Sequence, residues 1–326
     1  MKSVRTSRIW ARAAIAVLAG ALTLGTAACG SSDDDGTSGS ESVTIAHARG
    51  ETTITGTPKK IVALGNQWLD TALAFGVTPV GYVDNVAVLS KDAPPWQPKM
   101  PEAAKPLNTT GNLAEQVAAL EPDLILVDAF IADQKNYDDF SKVAPTLPGL
   151  SKEIVTPWQD LVTTLGKVLH RTDQAEKIIG GVNDRVTAIT QANPGLQGKT
   201  FASTFLFSNT QLMVLTDAND GSAKLFAQLG LGIPKNLAAL PANQGRVALS
   251  PERLDELTAD LLLAGAGSGM DEKYRHLPGY ADLPAVRKNA VVALNTQEIT
   301  AVNQPTALSI PYLLDKLTPV LANAAK

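Results

Sequence analysis

The chain has 326 residues, 44% hydrophobic and 18% charged, with 32 acidic against 28 basic side chains and a formal charge of −4 at pH 7. That is enough apolar material for a large core, and an acidic balance without basic clusters argues against a nucleic-acid partner. A single cysteine excludes an intramolecular disulfide, so stability must come from packing. Lys2, Arg5, Arg8 and Arg12 form a cationic start without an acid, and Ala13 to Ala28 is apolar or small apart from Thr23 and Thr26. This is the pattern of a secretory signal peptide over residues 1–28, too short for a membrane span.

Thr26-Ala27-Ala28-Cys29 resembles the bacterial lipobox, with Thr26 where leucine is usual. Cys29 is therefore expected to be lipidated and to anchor the chain at the extracytoplasmic face of the cell membrane, since two or more acyl chains hold a protein stably. Gly30 to Ser42 carries Ser, Asp, Gly, Thr and Glu and no large apolar side chain, which suits a flexible tether over residues 29–42. Without the four leader cations the charge falls from −4 to −8. No second hydrophobic span follows, so the folded body is expected to be soluble and to begin near Val43.

Ile61-Val62-Ala63-Leu64 reads as a strand, Trp68 to Phe75 as the helix after it, and Val77 to Tyr82 as the approach to the next strand. Glu115 to Ala129, EQVAALEPDLILVDA, gives a short helix face (Val117, Ala118, Leu120) stopped by Pro122, then Asp123 and a continuous apolar run. Continuous apolarity suits a strand covered on both faces, as in a parallel sheet. The same unit recurs at Glu252 to Ala266, ERLDELTADLLLAGA, and in both copies the Glu stands eight residues before the Asp. Two such units 137 residues apart point to two similar α/β lobes.

Between the copies, Thr172 to Asn193 has Ala175, Ile178, Ile179, Val182, Val186 and Ile189 on one helical face, a capping-box-like start at Asp173 and Glu176, and a stop at Pro194-Gly195. Such a helix spans roughly 30 Å, enough to link two lobes, and Gly180-Gly181 marks a candidate bend. Farther on, Thr200 to Phe207 and Leu212 to Leu215 read as strands across a turn, Ala223 to Leu229 as a helix closed by Gly230, and Ala290 to Leu294 as a late strand. Thr306 to Asn323 reads as helix kinked or divided by Pro311 and Pro319. The expected fold is α/β: two Rossmann-like lobes with mainly parallel sheets, residues 43–171 and 194–326, joined by one long helix, residues 172–193.

The segments TPKKIVALGNQWLDTALAFGVTPVG, NLAEQVAALEPDLILVD, YDDFSKVAPTL and LSPERLDELTADLLL resemble the substrate-binding proteins of iron-siderophore and cobalamin ABC importers, and the resemblance spans the body of the chain. It implies a ligand cleft between the lobes, an ABC permease partner, no catalysis and no resident cofactor or metal, in a protein expected to act as a monomer. It further implies that Glu115 and Glu252, one per lobe, face the permease and pair with its arginines, although either acid would also suit a helix start by its charge.

Ligands of open α/β sheets sit beyond the carboxyl ends of strands, and clefts between lobes are favoured sites. The aromatic, amide and arginine side chains in strand-following loops are then the candidates: Gln67, Trp68, Tyr82, Trp96, Phe130 and Tyr137 in the first half, and Asn209, Arg246, Tyr274 and Arg275 in the second, with Phe207 and Met270 beside them. A ferric siderophore arrives with its iron saturated by its own oxygens, so the protein needs aromatic surface and a few polar donors rather than iron ligands. Two arginines at most in these loops lean toward a neutral or cationic ferric hydroxamate over an anionic catecholate, with haem and cobalamin as alternatives. Direct binding of a free metal ion would need converging ligands, and His47, His170 and His276 are scattered along the chain. An anchored hydrolase would need a motif that is not found: Gly265-Ala266-Gly267-Ser268-Gly269 has the wrong order for a nucleophile elbow, and there is no H-E-x-x-H or phosphate loop.

Overall fold

The computed structural model describes residues 41–326, so the leader, Cys29 and nearly all of the tether lie outside the described residues. Ser42, assigned above to the tether, already opens β1 (Ser42–His47), which pairs antiparallel with β2 (Gly50–Thr55). This hairpin was not expected from the sequence. Its inward row includes Ile45 and Ile54, both in the main core.

The N-terminal half then alternates strand and helix: β3 (Ile61–Leu64), α1 (Asn66–Ala74), β4 (Gly81–Val83), α2 (Asn85–Ser90), β5 (Lys105–Pro106), α3 (Leu113–Ala118), β6 (Leu124–Val127), α4 (Gln134–Ser141), β7 (Thr146–Leu147) and α5 (Trp158–Val168). The five strands form one wholly parallel sheet in the order β5-β4-β3-β6-β7. Every residue of β3 and β6 is buried, as continuous apolar runs require. Ile61, Leu124 and Leu126 face the main core, and Val62, Leu64, Ile125 and Val127 pack with Val117 and Phe140 on the other face.

Helix α6 (Thr172–Ala192) follows and runs unbroken through Gly180-Gly181. The capping box expected at Asp173 and Glu176 does not form: Arg171 holds the N-cap position and no side chain caps the helix. The reason is the tight turn from α5, in which His170 takes φ 54 and the Arg171 N–H is already bonded to Gly166 O at 2.7 Å. A Cβ on Gly166 would lie 2.6 Å from the Ala175 Cβ, so the glycine lets α5 and α6 touch.

The C-terminal half comprises β8 (Lys199–Ser208), β9 (Gln211–Leu215), α7 (Gly221–Gln228), β10 (Leu231–Gly232), α8 (Lys235–Ala238), β11 (Arg246–Leu249), β12 (Leu261–Ala266), α9 (Asp271–Arg275), α10 (Pro284–Arg287), β13 (Val291–Leu294), α11 (Thr296–Asn303) and α12 (Ser309–Ala324). Its sheet runs β11-β9-β8-β12-β13, with β10 on β8. β8, β12 and β13 are parallel, while the short β8–β9 turn makes an antiparallel hairpin and β11 pairs antiparallel with β9. The second Glu-to-Asp unit begins as a 3-10 segment, Pro251–Glu256, rather than an α-helix. α12 continues through Pro319 as one helix, and Pro311 falls in its first turn, where no helical N–H bond is lost. The two sheets are separate, yet one apolar cluster runs from Leu124 and Trp68 through α5 and α6 to Phe226 and Leu313.

The repeated aspartates do the same work in both halves. Asp123 accepts the backbone N–H groups of Lys59 and Lys60, at 2.7 and 2.9 Å, just ahead of β3. Asp260 accepts the N–H and hydroxyl of Thr200, each at 3.0 Å, at the start of β8. In each half the acid before one strand clips the beginning of the parallel strand beside it.

Candidate functional site

The carboxyl ends of β3, β4 and β6 build one wall. Gly65, after β3, has φ 114, and a Cβ there would lie 2.3 Å from Asp128 Oδ2. Only glycine brings the chain this close to that carboxylate. Asp128 accepts from the backbone N–H groups of Gln67 at 3.0 Å and Trp68 at 3.1 Å, and so caps a helix whose own N-cap residue has no side chain. Burial pushes the Asp128 carboxyl up to about 7, against the pull of those two N–H groups. Asn66 donates to Asp84 at 2.7 Å and accepts from the Val86 N–H at 3.1 Å, while Asp84 caps α2 through the Ala87 N–H at 2.9 Å. The loops after β3, β4 and β6 are thus bonded into a fixed surface.

The opposing wall comes from the second sheet. At the end of β8, Phe205 and Phe207 alternate with the inward Leu206, their ring centroids are 6.4 Å apart, and Phe207 is 66% exposed. Arg246, at the start of β11, donates from Nη1 to Asp220 Oδ2 at 2.9 Å. Asp220 is nearly buried and is the N-cap of α7, accepting from the Ser222 N–H at 2.9 Å.

Two cavities are lined from both halves. One, about 590 Å³, lies between the end of α2 (Leu89, Ser90, Asp92) and the segments after β12 and β13. The other, about 310 Å³, lies between Lys152, Glu153 and Ile154 on one side and Asp217, Asp220 and Gln244 on the other. Polar contacts also tie the halves together. Gln297 Nε2 donates to Ser90 Oγ at 3.0 Å and to the carbonyls of Asp92 and Ala93 at 2.9 and 3.2 Å. Asp70, fully buried, accepts from Trp96 Nε1 at 3.0 Å, Gln97 Nε2 at 2.7 Å and, from the C-terminal half, Thr306 Oγ1 at 2.7 Å. Burial raises the Asp70 carboxyl to about 6, with the three donors opposing the rise.

A groove between two α/β halves, with loops from both sheets on its walls, is the architecture of a solute-binding protein. Residues 61–298 match the family model described as periplasmic binding protein. The chain belongs to that family. The binding protein is 27% identical over 247 residues to the "Probable siderophore-binding lipoprotein YfiY" of Bacillus subtilis (strain 168), covering 72% of this chain and 73% of that one. It is 26% identical to the "Iron(3+)-hydroxamate-binding protein YxeB" of the same organism, covering 82% of each. A crystal structure of a periplasmic solute binding protein from Mycobacterium smegmatis str. MC2 155 superimposes with a TM-score of 0.73 at 27% identity, over 87% of this chain and 99% of that one. These relatives are binding proteins rather than enzymes, and the resemblance carried by the NLAEQVAALEPDLILVD and LSPERLDELTADLLL segments is borne out.

Within the binding protein, the residues expected to contact ligand divide. Phe130 is 43% exposed after β6, and Arg246 lines a small pocket with Phe205, Met213 and Asn303 and bonds Asp220 and Gln244 at the edge of the smaller cavity between the halves. Trp96 lies in the seam, its ring centroid 5.6 Å from that of Tyr312 of α12. Tyr82 lines a cavity of about 640 Å³ that belongs to the N-terminal half alone, together with Asp84 and Met100. Trp68, Gln67 and Tyr274 are buried. With the start of α1 fixed by Asp128, its first turn points into the core, and Gln67 bonds the Thr156 carbonyl at 2.8 Å and N–H at 3.2 Å. Tyr274 shares a hydrogen bond of 2.8 Å with the Thr204 hydroxyl. Tyr137 packs edge-on against His47, centroids 5.5 Å apart. Asn209 is exposed at the β8–β9 turn and accepts from Lys273 Nζ at 3.3 Å. Arg275 is exposed, 3.8 Å from Asp271.

Phe205 and Asp220 were not among the expected residues. Phe205 was legible in the period-two alternation of β8. Asp220 was legible as an N-cap before Ser222, but its pairing with Arg246 is a tertiary fact.

Proposed function

We propose that this is an extracytoplasmic, lipid-anchored binding protein that captures a ferric siderophore, of hydroxamate type, in the groove between its halves and delivers it to an ABC permease. The observation that carries the reading is the pair of cavities lined from both halves, with exposed phenylalanines after β6 and at the end of β8 and, at the edge of the smaller cavity, an arginine whose charge is already paired. Aromatic faces bind the organic shell of a chelate, and a pre-saturated ferric ion asks nothing of the protein's carboxylates. The names of the two relatives support a siderophore and, for one, a hydroxamate. Anchoring at Cys29 is supported by the lipobox-like sequence and by the word lipoprotein in the name of YfiY.

The test is quenching of tryptophan fluorescence by ferric trihydroxamate, ferric tricatecholate, haem and cobalamin. The trihydroxamate is expected to bind most tightly, and Phe207→Ala to weaken it on the order of tenfold by removing an exposed aromatic contact. Binding of haem or cobalamin alone would replace the siderophore reading.

For delivery, Glu115 in the first turn of α3 and Glu252 in the 3-10 segment ahead of β12 are both exposed. Exposed ion pairs contribute little singly, but two at fixed separation report orientation. Glu115→Lys with Glu252→Lys is expected to stop uptake in cells while leaving ligand affinity unchanged. Loss of ligand binding in that double variant would contradict the assignment.

A further inference from the structure

Arg246 borders the cavity of about 310 Å³ through Asp220 and Gln244, which line it, and it is not free to attract an anion. Arg246 Nη1 lies 2.9 Å from Asp220 Oδ2, and the side chains are 22% and 7% exposed. The acid is held from two sides, because its other oxygen accepts the Ser222 N–H and hydroxyl as the cap of α7. It cannot swing away without uncapping that helix. The other charges around the cavity nearly cancel: Lys152 and Glu153 on the facing lip, Lys224 close to Glu153, and Asp217 beside Gly245. The wall thus carries guanidinium geometry with no net positive charge.

We propose that Asp220 is a specificity-determining residue that neutralises Arg246 and so selects chelates without net negative charge. This rests on the reading of the groove as a ferric-chelate site. A ferric ion bound by three hydroxamates is neutral, whereas one bound by three catecholates carries three negative charges. A neutral chelate can use the Arg246 N–H groups left over by Asp220 as hydrogen-bond donors at little electrostatic cost. A trianion meets the Asp220 carboxylate as well, and the repulsion offsets the attraction.

The experiment titrates the full-length protein and two variants with ferric trihydroxamate and ferric tricatecholate by calorimetry, at low and at physiological salt. Asp220→Asn keeps an N-cap acceptor, since asparagine caps as well as aspartate, and it unmasks Arg246. It is expected to raise the affinity for tricatecholate relative to trihydroxamate on the order of tenfold at low salt, and less as salt screens the charge. Adding Arg246→Gln should abolish the gain. Asp220→Ser, another good cap, serves as the second unmasking variant should the asparagine protein fail to fold. An unchanged ratio in the unmasked variant, or a gain that survives loss of Arg246, overturns the proposal while leaving the chelate site standing. If neither chelate binds the unsubstituted protein, the site reading fails and this inference with it.

Discussion

Replacing Trp68 with alanine is expected to lower the melting temperature by roughly 10 °C, because truncating a buried tryptophan costs about 3–5 kcal/mol and each kcal/mol is worth about 2–4 °C in a domain of this size. Trp68 has no exposed surface and lies in the cluster that joins the first sheet to α5 and the C-terminal half. The lost volume would therefore leave a cavity in that cluster. Trp68→Phe should cost much less. The indole Nε1 is buried with no hydrogen-bond partner among the described residues, so phenylalanine gives up packing but also relieves an unpaired donor. Calorimetric melts of the three proteins, with chelate titrations alongside, check the argument. A melting temperature unchanged in Trp68→Ala, with ligand affinity lost, would return this residue to the groove.

The contribution of Asp70 and Asp128 to stability should rise as the solution is acidified from about pH 7.5 to about pH 5. Both carboxyls are raised in the fold from an ordinary 3.8, to about 6 and about 7, by burial above all. Between the unfolded and folded values the native protein holds protons that the unfolded chain has released. The stability from these groups is therefore fully present below about pH 4 and is lost as pH rises through about 6 for Asp70 and about 7 for Asp128. Melting temperatures measured across that range should flatten in slope for Asp70→Asn and for Asp128→Asn. Slopes rather than absolute values are the readout, since Asp128→Asn also removes one of two acceptors at the start of α1 and so costs about 1–3 kcal/mol at any pH. Identical slopes in all three proteins would mean that neither carboxyl titrates there. Asp70 adds a structural consequence, because its bond to Thr306 spans the two halves.

Much of the architecture could be read from the chain because it rests on local, periodic signals. The continuous apolar runs of β3, β6 and β12 announce strands buried on both faces, and the single-faced pattern from Ala175 to Ile189 announces α6. The repeat of Glu and Asp at the same spacing pointed to two related halves. Only the fold shows what Asp123 and Asp260 do, which is to clip the neighbouring strand some sixty residues away in sequence.

The site was less legible, and the reason is directional. A strand-following loop tells which residues reach the carboxyl end of a sheet, but not which way each side chain turns. Gln67 and Trp68 stand where ligand contacts are expected, yet Asp128, brought close by Gly65, fixes the first turn of α1 so that both point inward. Arg246 borders the smaller cavity, yet its charge is balanced by Asp220, 26 residues earlier. The sequence alone therefore determined the two-sheet α/β body, the connecting helix and the family, since apolar periodicity and strand punctuation act over a few residues. The tertiary structure alone decided which polar and aromatic groups are left for a ligand, since burial and ion pairing depend on neighbours that only folding brings together.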